Sequence, residues 1–125
     1  MAKYAVVVMS EHGEPNPGGQ GRMVHALSTV KAFKEAGEDV TLWFHGIGVT
    51  WLAAFDSRYD PFTRRYGPLF DEVRDAIGGA CDFCVKQRFG VRESAEHLGV
   101  PIVGGDGQHH TLAALALDGW EVLTF

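Results

Sequence analysis

The chain predicts an α/β domain built on a five-stranded parallel sheet lying between helical layers. Three observations carry this. Short apolar runs rich in β-branched residues alternate with stretches of helical period. Gly and Pro clusters separate them. The alternation continues from end to end, so right-handed βαβ crossovers and a single domain over residues 1–125 are expected.

Tyr4 to Met9 reads as the first strand, apolar enough to be buried on both faces. A polar loop from Ser10 to Gly21 follows, and from Arg22 the residues Met23, Leu27, Val30 and Phe33 form one helical stripe that ends at Gly37. Val40 to Phe44 is the second strand. It exits through His45-Gly46-Ile47-Gly48-Val49 into a short apolar helix or turn at Trp51 to Phe55. Asp56 to Gly67 is polar and aromatic and reads as a long excursion, of the kind that covers sites or makes subunit contacts.

Pro68 is expected to open the next helix, with Leu69, Phe70, Val73, Ala76 and Ile77 inward and Gly78-Gly79 as the stop. Ala80 to Phe83 is the third strand, and Val85 to Leu98 is helical with a break near Gly90. Val100 to Val103 is the fourth strand, where Pro101 belongs near a strand start or a sheet edge. Gly104 to Gly107 turns, Gln108 to Leu117 is the last helix, and Trp120 to Phe125 the fifth strand.

Composition narrows the function classes. With 46% hydrophobic and 22% charged residues, 125 residues can bury a core without metal or disulfide support. The net charge of -5 argues against a nucleic-acid partner, and Arg64-Arg65 and Lys86, Arg88 and Arg92 read as solvated helix faces. No apolar run is long enough to span a membrane and no export signal precedes the first strand. A cytoplasmic location is the expectation, and in that compartment a close cysteine pair points to redox or metal chemistry.

In an open parallel sheet, ligands bind outside the carboxyl ends of the strands. That rim collects Ser10, Glu11, His12 and the Asn16 to Gly21 loop after strand one, and His45 after strand two. Cys81 to Cys84 follow strand three, and Asp106, His109 and His110 follow strand four. Four of the six histidines and both cysteines therefore lie there, whereas His25 and His97 fall within helices.

Cys81 and Cys84 are the candidate reactive pair. A C-x-x-C at a strand-to-helix junction can bring the two Cα atoms within disulfide range, about 4.4–6.8 Å. The helix start is expected to favour thiolate. Cys84, expected nearer the helix start, is the candidate nucleophile and Cys81 the resolving thiol, with His45 and His109 as proton-transfer partners. The competing reading is a pair of small inert core residues. A zinc centre normally takes four ligands, and the chain has no second C-x-x-C and no H-x₃₋₅-H. No metal or cofactor is therefore assigned, although Cys84 with His45 or His109 stays open as a metal reading. The glycine-rich segment Pro17 to Arg22 matches no phosphate-binding fingerprint and is expected to be a turn-forming loop, as is Gly104 to Gly107.

Three segments resemble the DsrE/DsrF-like family of small sulfur-relay proteins: Ala32 to Val49 with its Gly46-Ile47-Gly48-Val49 turn, Ala80 to Cys84 followed by Gly90-Val91, and the closing Leu117 to Phe125. With strand one the similarity spans nearly the whole chain. The resemblance implies a compact three-layer α/β sandwich with a five-stranded, mostly parallel sheet, assembled as a trimer or hexamer. It also implies a persulfide carried on a cysteine of the third-strand loop, matching Cys84 and less closely Cys81, and passed between donor and acceptor proteins. The Cys84 to Gly90 spacing is about one residue longer than the family's common pattern. The leading expectation is a sulfur carrier or thiol-redox protein needing no cofactor. The alternative is a non-catalytic oligomeric module that binds a small anion or nucleotide at the strand carboxyl rim.

Overall fold

The structure, a computed structural model, describes residues 2–13, 17–105 and 107–125. Its strands are β1 (Lys3–Val8), β2 (Asp39–Phe44), β3 (Ile77–Cys81), β4 (Ile102–Val103) and β5 (Glu121–Thr124). Between them run α1 (Pro17–Glu35), α2 (Thr50–Phe55), α3 (Pro61–Val73), α4 (Arg92–Leu98) and α5 (Leu112–Leu117). A π-helical turn, Cys84–Arg88, follows β3. None of these helices is long and apolar enough to cross a membrane.

All pairings are parallel and the strand order is β4-β3-β2-β1-β5. The first three crossovers step in one direction, so their right-handedness puts α1 to α4 on one face of the sheet. The return from β4 to β5 puts α5 on the other. The result is the expected three-layer α/β sandwich with unequal outer layers. Val6, Val8, Leu42, Phe44 and Ala80 face the larger core with Leu27, Trp51, Leu52, Phe62 and Phe70. Ala5, Val7 and Trp43 face a small cluster closed by Leu115. Pro101 lies just before β4, which is an edge strand, as its missing N–H requires.

Four boundaries differ from the sequence reading. First, α1 begins at Pro17, not Arg22, because proline suits a first helical position and burial of Met23, Ala26, Leu27 and Val30 outweighs the weak propensity of the preceding glycines. The Pro17 to Arg22 segment is therefore helix, not loop. Second, Asp56 to Gly67 is not an excursion over a site. Asp60 caps α3 by accepting from the Thr63 amide at 3.1 Å, Pro61 takes the first turn, and Pro68 lies inside the helix. Within this stretch Phe62 is buried and joins the buried Trp51, Phe55 and Phe70 on either side, the Phe55 and Phe70 rings stacking at 4.0 Å, so α3 is anchored to the core through Phe62 while Tyr59 stays exposed.

Third, Gly78 and Gly79 belong to β3 and do not stop a helix. A Cβ on Gly78 would sit 2.6 Å from the Trp43 ring, and one on Gly79 would sit 2.8 Å from the Pro101 carbonyl. Gly78 makes room for the Trp43 ring on β2, and Gly79 for the Pro101 carbonyl on the other side. Fourth, α5 starts at Leu112, capped by the Thr111 hydroxyl, which accepts from the Ala114 amide at 3.1 Å. His109 and His110 therefore lie in the preceding loop.

Candidate functional site

Cys81 is the last residue of β3, so its side chain leaves the sheet at the carboxyl rim. The chain turns helical at once and then widens, with the Phe89 amide donating to the Cys84 carbonyl at 3.0 Å, a π-type closure. Such widened turns concentrate at functional sites. Here the turn brings the Cys84 Sγ to 3.2 Å from the Cys81 Sγ, with Cys84 donating, and both thiols are free. At 3% and 1% exposure the two residues are buried, yet they are not sealed in hydrocarbon. Both line a cavity of about 270 Å³ with Met9, His45, His109 and His110, and Cys84 also lines an adjoining one of about 240 Å³.

The β4–α5 loop supplies the third group. Asp82, itself buried, accepts from the Gly107 amide at 3.2 Å and pairs with Lys86 at 3.2 Å, while the Phe83 amide donates to the Gln108 carbonyl at 3.0 Å. These contacts tie the loop to the cysteine turn. Gly104, at φ 138, lets the loop fold back on itself: a Cβ there would lie 2.7 Å from the His110 amide nitrogen. His109 Nδ1 thereby comes 3.4 Å from the Cys81 Sγ and 3.7 Å from the Cys84 Sγ. The Phe83 ring lies against the imidazole at 4.3 Å.

His110 points the other way. Its ring stacks on Trp43 at 4.1 Å and 7°, and its Nδ1 is 2.9 Å from His45 Nε2. Burial, with the two neighbouring histidines, lowers the His45 pKa to about 4, and burial lowers that of His110. Near pH 7 this is a pair of neutral imidazoles joined by one hydrogen bond. Burial is also the main reason the Cys84 thiol is pushed up to about 11, with its bond to Cys81 adding to it. The Gly46 amide and Arg88 pull it only partly back. Against the expectation that the helix start favours the Cys84 thiolate, burial and the neighbouring Cys81 hold its proton on.

Of the predicted site residues, Cys81, Cys84 and His109 converge, with donor atoms all within 4.8 Å of one another, a spacing that could hold a metal ion. His45 shares their cavity but is bonded to His110. His12 turns away to Asp60, 3.1 Å from it. Asn16 and Asp106 lie outside the described residues. Sequence reasoning placed His110 on the rim without giving it a role, and it missed Asp82 and Trp43. The signal for Asp82 was its place inside the C-x-x-C itself. His25 is exposed on α1, and His97 pairs with Asp56 on the surface at 3.0 Å, which raises its pKa. No family model, curated protein or solved structure matches this chain.

Proposed function

We propose that the protein is a cytoplasmic thiol protein of the DsrE/DsrF-like kind, a sulfur carrier or dithiol-redox partner working at Cys81 and Cys84. The observation that carries this reading is the 3.2 Å sulfur–sulfur contact beside His109 Nδ1, at the mouth of a rim cavity. Cys84 donates to Cys81, so Cys81 is the sulfur that this reading has attack first, with His109 taking its proton; Cys84 keeps its own and resolves. This reading exchanges the roles assigned from sequence.

In the carrier step the Cys81 thiolate attacks the outer sulfur of a donor persulfide. The donor S–S bond breaks and the donor leaves as a thiolate, so that Cys81 holds the transferred sulfur. A partner thiolate can then take that sulfur and return Cys81 to thiolate. Alternatively Cys84, once deprotonated, attacks the inner sulfur and releases hydrosulfide, closing the Cys81–Cys84 disulfide. That closure needs the sulfurs to approach by about 1.2 Å, from their present contact to a bond of about 2.05 Å. No cofactor enters either step.

Assembly as a trimer or hexamer, with donor and acceptor proteins meeting the rim, belongs to the same reading. The thin α5 layer supports it, with Met9 and Leu117 exposed. The test is incubation of the reduced protein with a small persulfide donor, read by intact mass. One added sulfur is expected on wild type and on Cys84→Ser, and none on Cys81→Ser. An adduct that survives loss of both cysteines, or none on wild type, contradicts it.

The alternative reading, a module for a small anion or nucleotide, is weaker. One of its two glycine-rich turns, Pro17 to Arg22, is helix and not loop.

A further inference from the structure

We propose that Cys81, Cys84 and His109 form a three-ligand Zn²⁺ site whose fourth position opens onto the cavity lined by His45 and His110. The site uses the two thiols of the carrier reading but does not depend on that reading being correct.

The first argument is geometric. Zn–S bonds of about 2.3 Å and Zn–N bonds of about 2.0–2.1 Å at tetrahedral angles put two sulfurs about 3.8 Å apart and a sulfur and nitrogen about 3.6 Å apart. The observed edges are 3.2 Å between sulfurs and 3.4 and 3.7 Å from sulfur to His109 Nδ1. A trigonal-planar centre with similar bonds would spread them to about 4.0 and about 3.8 Å, further from what is seen. The three atoms already outline one face of a tetrahedron, and small outward shifts of the sulfurs complete it.

The second argument concerns donor type and support. Two thiolates and an imidazole suit a borderline-soft closed-shell cation and not a hard one. The loop that carries His109 is held against the cysteine turn by Asp82 and by the Phe83 amide, so the donors arrive from two segments that are already joined. Two cysteines, one histidine and an open vertex is the ligand count of a zinc centre that keeps a position for water or substrate. Binding transfers the thiol protons to solvent, so uptake rises with pH. In the disulfide form, with its thiols consumed, the site is lost. Zinc and a transferred sulfur then compete for the same two atoms.

The experiment is Co²⁺ titration of the reduced protein followed by displacement with Zn²⁺. One equivalent is expected, with tetrahedral d–d bands and thiolate-to-cobalt charge transfer, all bleached by zinc. The charge transfer should fall by about half in Cys81→Ser or Cys84→Ser. His109→Gln changes an exposed ring, so it spares the fold, and it should weaken zinc affinity by about tenfold or more. His97→Gln should match wild type. Absence of Co²⁺ uptake, uptake without thiolate charge transfer, affinity unchanged in His109→Gln, or uptake of Cu⁺ with none of Zn²⁺ would each overturn the site. A cobalt spectrum in a protein that takes up no sulfur leaves the zinc site and removes the carrier. Sulfur uptake with no cobalt spectrum does the reverse.

Discussion

At the scale of single residues, the site works by setting buried groups against one another. Cys84 is held protonated by burial and by its bond to Cys81, so alone it should be a poor nucleophile at neutral pH. In Cys81→Ser, alkylation of Cys84 by iodoacetamide at pH 7 should run about tenfold or more slower than free cysteine. A rate equal to free cysteine would contradict the assigned roles. His45 gives a pH signature of its own. Its folded pKa, about 4, lies below the ordinary 6.5, so the unfolded chain binds more protons between those values. Stability is therefore complete above about pH 6.5 and falls as pH drops toward 4, by about 3 kcal/mol at full shift. Denaturant midpoints across that window check it, and a His45→Asn variant should flatten the curve. His97 runs oppositely, since its raised pKa contributes stability that is lost as pH rises past the folded value.

At the scale of elements, what decides the site is how the β3 exit meets the β4–α5 loop. Gly104→Ala would place a methyl against the backbone of residues 108–110 and force a positive φ on alanine. A loss of about 1–3 kcal/mol is expected, together with loss of the His109 effect on thiol reactivity. Thermal melting and alkylation rates read the two consequences separately. Asp82→Ala should leave the Gly107 amide and Lys86 without their partner and loosen the same loop, costing about 1.5–3 kcal/mol.

These same elements show what could be read from sequence. The strands were legible because Val6, Val7 and Val8 or Leu42, Trp43 and Phe44 are apolar runs of the right length. The rim was legible because parallel topology fixes where strands end. Gly78 and Gly79 misled, since their reasons are the Trp43 ring on one side and the Pro101 carbonyl on the other, contacts that local pattern does not encode. Pro68 misled because the α3 stripe of Phe62, Phe70 and Val73 holds the helix to the core through a residue that usually starts one. The convergence of Cys81, Cys84 and His109 needed the loop closure at Gly104, so the residues could be nominated but their distances could not.

At the scale of the whole molecule, the direction of the crossovers leaves the sheet unevenly clothed. Four helices cover one face and the six-residue α5, with Leu117 exposed at 89%, the other; Leu123, in register with Val6 on the four-helix face, is 37% exposed because β5 is an edge strand. The proposed assembly would use the thinly covered β5–α5 side. Light scattering should return a mass above the 13.6 kDa monomer, and Leu123→Glu with Leu117→Glu should shift it toward the monomer. A monomeric wild type at high concentration would remove the assembly from the account.

The central claim is that the two sulfurs act as one reachable unit. Intact mass of the reduced protein, followed through time after addition of a persulfide donor, tests it most directly. The account predicts a gain of one sulfur, then its loss with formation of an internal disulfide, and an arrest at the persulfide in Cys84→Ser. A wild-type mass that never changes, with both thiols still reduced, would contradict it.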